Sequence, residues 1–66
     1  MLRDKTIERM ISASAAGIKM KRIGEEAGVK WWKIHALVSK SDINVSLSDD
    51  DCRNINDALD RVKGAL

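Results

Sequence analysis

Residues 20–39 read MKRIGEEAGVKWWKIHALVS, and the fold turns on how this stretch divides. Gly28 separates two short helical segments, about Met20–Ala27 and Trp31–Ser39. Ile23 and Ala27 stand one turn apart in the first, and Ile34, Leu37 and Val38 recur at i, i+3 and i+4 in the second. Neither segment is long enough to be stable in isolation, so both must be held by what flanks them. Residue size says how they meet. Gly24 offers no side chain where the first segment would approach the second. Gly28 suits a left-handed turn, Val29 is an apolar plug for the angle, and Ile34 and Leu37 are the second segment's buried positions.

The flanks carry longer amphipathic helices. Asp4–Ala16 repeats apolar residues at Ile7, Met10, Ile11 and Ala15, with Asp4 or Thr6 as cap and Gly17 as stop. Ile18 is then expected to turn inward. Ser48 opens the last helix as an N-cap, and Asp49, Asp50 and Asp51 suit the positive end of a helix dipole. Cys52, Ile55, Leu59, Val62 and Leu66 line one face of that helix, Arg61 and Lys63 sit in its last turn, and Gly64 marks its end. Between the helices, Ser39–Leu47 alternates Ile43, Val45 and Leu47 among polar residues. A short strand would suit that alternation, but a loop with inward-pointing apolar residues suits it better. The expected fold is all-α: one small four-helix domain over residues 1–66, with the paired short helices at about 20–39.

A chain of 66 residues buries only about 60% of the surface its unfolded form exposes, so a partner chain is expected to complete it. Cys52 is the single cysteine and closes no internal disulfide, and with His35 it falls short of the roughly four ligands of a zinc site. A homodimer is expected, its surface formed by Ile55, Leu59, Val62 and Leu66 of the last helix, or by the first helix. No run approaches the ~20 apolar residues of a membrane span, and the N-terminus shows no signal-peptide core. The expectation is therefore a cytoplasmic protein with no membrane partner and with Cys52 reduced. His35 has no nucleophile or carboxylate arranged around it, and so short a chain has little room for a pocket of convergent polar groups. No enzymatic activity, cofactor or metal is expected. Met10 and Met20 read as packing residues, and the Asp49–Asp51 run as a dipole partner.

The net charge of +2 hides an asymmetry. Residues 18–40 set Lys19, Lys21, Arg22, Lys30, Lys33 and Lys40 against Glu25 and Glu26, a local +4, while the remainder has six basic and eight acidic residues, −2. Such a middle suits a polyanion; a solvated lysine face is the plain alternative.

Two short helices joined by a glycine-containing turn make a helix-turn-helix. The stretch RIGEEAGVKWWKIHALVSK resembles the helix-turn-helix of bacterial and phage repressors, and looks most like the lac-repressor type of headpiece, in which an AGV turn precedes an aromatic-headed recognition helix. VSLSDDDCRNINDALDRV resembles the third headpiece helix, whereas the extra first helix is similar to the lambda repressor and Cro group. The effector domain of lac-type repressors is absent from this sequence, so control by a small molecule of that kind is not implied. Two departures matter. Lys30 stands where repressors usually carry a capping Ser or Thr. The recognition helix also has no Arg, Gln or Asn, the residues that pair bidentately with guanine or adenine.

The resemblance implies double-stranded DNA as partner and a sequence-specific, dimeric transcriptional repressor of phage or mobile-element type, with the helix over 31–39 in the major groove. Lys30, Trp31, Trp32, Lys33, His35, Ala36 and Ser39 would face the DNA, with Lys40 and, from the preceding helix, Lys19, Lys21 and Arg22 on phosphates. Trp31 is left between core and contact, because it also lies three and seven residues before Ile34 and Val38. Trp32 falls on the polar side, where an exposed indole calls for a partner. Two alternatives stand beside this reading: an excisionase-like or architectural DNA-binding factor, and a protein-interaction module using the Trp pair as its hot spot.

Overall fold

The computed structural model describes residues 2–42 and 44–64. The chain runs α1 (Leu2–Ala15), α2 (Met20–Ala27), α3 (Trp31–Val38) and α4 (Asp49–Gly64), with no strand among the described residues. The all-α, four-helix expectation holds. No described helix is long and apolar enough to cross a membrane.

α1 and α2 end by the same device. The Gly17 N–H donates to the Ser14 carbonyl and the Ile18 N–H to the Ala13 carbonyl, while Ile18 packs on the core. At the end of α2, Gly28 takes φ +70° and the Val29 N–H reaches back to the Gly24 carbonyl at 3.0 Å. In both, a left-handed residue turns the chain and the apolar residue after it closes the corner. Gly24 has the role its size suggested. A Cβ there would lie 2.9 Å from the Val29 carbonyl oxygen and 3.3 Å from Ile34 Cδ1, so α2 and the turn into α3 meet only because Gly24 is bare.

α4 packs against α1 and α2, and α3 against α2 and α1. Met10, Ile23, Ile34, Leu37, Ile55 and Leu59 are enclosed at their centre, and Val45 and Leu47 of the connection join them. Ile43 lies outside the described residues. Arg3 of α1 holds the connection by donating to the Val45 carbonyl at 3.1 Å.

The apolar stripe of α1 differs from the expected one. Ala15 is exposed and Ile7 and Ile11 are half-buried, while Thr6, Met10 and Ala13 face the core. The helix already begins at Leu2, so neither Asp4 nor Thr6 is its cap. Thr6 Oγ1 instead donates to the Leu2 carbonyl at 2.8 Å and accepts from Asn56 Nδ2 at 2.9 Å. Asn56 Oδ1 in turn accepts from Arg9 at 2.6 Å, and Arg9 also pairs with Asp60 at 2.6 Å. A threonine is fully buried here because its hydroxyl is satisfied on both sides.

The α4 stripe also needs correction. Ile55 and Leu59 are fully enclosed and Val62 nearly so, facing helices of their own chain. They are core residues and offer no surface to a second copy. Leu66 lies outside the described residues.

Candidate nucleic-acid interface

With Ile34 and Leu37 turned inward, α3 leaves the opposite side open. Trp32, His35 and Ser39, spaced at i, i+3 and i+7, are all exposed on that side. Trp32 is 51% exposed and Trp31, at the edge of the same face, 57%, so Trp31 is not a core residue despite its spacing to Ile34. Its ring rests on His35 instead, with centroids 5.8 Å apart and planes tilted by 59°. Lys33 is half-buried along its stem, and its Nζ lies 5.9 Å from the centre of the Trp32 ring, at the outer edge of a cation–π contact.

The start of α2 comes alongside. Lys19, Met20, Lys21, Trp31 and His35 line one open groove between the head of α2 and the face of α3. Lys19 also borders a second depression, shared with Arg22, Ile18 and Val62, which places Arg22 round the corner from the tryptophans. Met20, read from sequence as a packing residue, forms part of the groove wall. Its half-buried side chain also packs on the core, one turn before Ile23, as expected of a packing residue.

The helix ends in this region carry lysine. Lys19 and Lys30 are the N-cap residues of α2 and α3, both in extended conformation and both without a side-chain cap bond. No acidic residue occupies either first turn. The leading N–H groups of each helix have no helical carbonyl behind them, so each start carries the positive end of a helix dipole beside an exposed lysine. At the far end of α3, Lys40 adopts φ +60°, the left-handed region that glycine fills in the two earlier turns.

Two of the expected contacts are altered. Ser39 Oγ donates to the His35 carbonyl at 2.7 Å and lies 3.1 Å from Ser41 Oγ, so its proton serves the helix end. Ala36 is half-buried beside the core and adds only a shallow step to the face. The face therefore consists of Trp31, Trp32 and His35, with Lys19 and Lys21 across the groove, Lys33 beside Trp32, and exposed Lys30 and Lys40 just before and after the helix. It is apolar and π-rich at its centre and cationic at its rim. Among the described residues no group of His, Cys, Asp and Glu is placed to hold a metal ion. No protein-family model, curated protein or solved structure matches the chain.

Proposed function

We propose that this chain is a sequence-specific DNA-binding protein, a small transcriptional repressor of phage or mobile-element type. In this reading α2 and α3 act as a helix-turn-helix, with α3 in the major groove. The observation that carries it is the exposed tryptophan face of α3 with Lys19, Lys21 and Lys33 beside it, together with two helix starts without side-chain caps that suit phosphate. Lys19, Lys21, Arg22, Lys30, Lys33 and Lys40 grip the backbone on either side, and the Trp31–Trp32–His35 face meets the bases.

The acting form is a dimer. The longest dimension of one copy is 31 Å, short of the roughly 34 Å between successive major grooves on one side of the duplex, so one copy covers one half-site. With the α4 stripe in the core, the surface for the second copy falls to α1, whose half-exposed Ile7 and Ile11 lie one turn apart. Repression follows from occupancy, since a dimer across two grooves blocks polymerase.

A gel-shift or anisotropy titration of random-sequence duplex DNA tests the reading. Binding should be clear at low salt and fall steeply as salt rises, with a log–log slope near −5 per copy if all six cations meet phosphates. Lys33→Glu should abolish it while leaving helicity unchanged. Absence of binding at low salt would end this reading and its architectural, excisionase-like variant. It would leave the protein-interaction reading, which the lack of Arg, Gln and Asn on α3 favours.

A further inference from the structure

α3 must read bases without the side chains that usually read them. It presents no Arg, Asn or Gln, and its lysines are point charges better suited to phosphates. What it turns outward is two indoles, each more than half exposed, and His35, which lies against the Trp31 ring. An indole has one donor and no acceptor, so it cannot match a donor–acceptor pair on a base edge. Guanine, adenine and thymine all offer acceptors in the major groove, so a lone donor separates base pairs poorly. A wide apolar plate separates them well, because the major-groove edges carry one apolar feature, the C5-methyl group of thymine.

We infer that α3 selects thymine by burying its methyl groups under Trp32, with Trp31 as a second plate; the inference rests on the DNA-binding reading above. Trp32 is central to the open face, between His35 and Ala36, and the short Ala36 side chain does not hold the helix away from the groove floor. The rings already have neighbours in the free protein, Trp31 on His35 at 5.8 Å and Trp32 under Lys33 at 5.9 Å. Plates that are partly held lose less freedom on binding than free ones.

The test compares the full chain, by anisotropy at low salt, on an A·T-rich duplex, on the same duplex with deoxyuridine replacing thymidine, and on the separated strands. Removing the methyls should weaken binding roughly fourfold for each methyl covered. Trp32→Ala, with unchanged helicity by circular dichroism, should lose most of the preference for the thymine duplex, and the variant that also carries Trp31→Ala should bind both duplexes alike at the weaker affinity. Equal affinity of the unmodified chain for the thymine and uracil duplexes would overturn the inference and leave DNA binding intact. A Trp32→Ala chain whose preference for thymine is undiminished would overturn the role of Trp32. Tighter binding to the single strands would assign the indoles to base stacking, and no duplex binding at all would overturn both proposals.

Discussion

At the start of α4, Ser48 Oγ accepts the Asp51 N–H at 3.1 Å, and three carboxylates meet the positive end of the helix. At the starts of α2 and α3 stand Lys19 and Lys30, with no side-chain cap and no acidic residue in the first turn. Helix ends divide differently and set α3 apart from α1 and α2. Gly17 and Gly28 take the left-handed turns after α1 and α2, but Lys40 takes the one after α3. The last helix shows that the chain can build a satisfied terminus. Around α3 it places lysine at both ends, where serine and glycine would stabilise the fold better. The start of α4 is thus satisfied by its own side chains, whereas α2 and α3 begin with lysine and without a side-chain cap.

The sharpest way to break this contrast is a substitution expected to act on folding alone. Leu59→Ala should lower unfolding stability by about 2–5 kcal/mol in a denaturant titration, because its side chain is fully enclosed between helices. A loss near zero would remove α4 from the core. Ser48→Ala should cost about 1 kcal/mol in the same titration, with DNA affinity unchanged once folded protein is matched. The smallest effects are the most telling. Lys30→Ser adds the missing cap and Lys40→Gly relieves the left-handed lysine, so each should raise stability by about 0.5–1 kcal/mol while weakening DNA binding. A pair of variants that gains stability and keeps full affinity would mean that neither lysine is retained for a ligand.

Much of the fold is legible where the signal is local. The span of α2, the turn at Gly28, the start of α3 at Trp31 and the Ser48 cap all follow from residue type and spacing within a few positions. What escapes is decided by distant partners. Periodicity counts Thr6 as polar, yet Thr6 is buried because Asn56, fifty residues on, donates to its hydroxyl. The stripe Ile55, Leu59 and Val62 announces an apolar face, but no spacing rule says whether that face meets its own chain or a second one. At the candidate site, Lys21, Lys33 and Trp32 are placed by helical phase, and Lys19, Lys30 and Lys40 by the helix ends they flank. Trp31 is not, because its surroundings come from the way α3 lies beside the head of α2.

The chain contains no Tyr, and its two tryptophans sit on one exposed helix face, away from the enclosed aliphatic core. Its near-ultraviolet absorption and emission are therefore almost blind to the core. Unfolding takes these half-exposed rings to full exposure and separates them from His35 and Lys33, so their emission follows the loosening of the α3 surface, and the melting of the interior is followed through the backbone. Anything that docks on α3 removes water from both rings at once. The protein carries its own optical probe, and the probe reports on the surface.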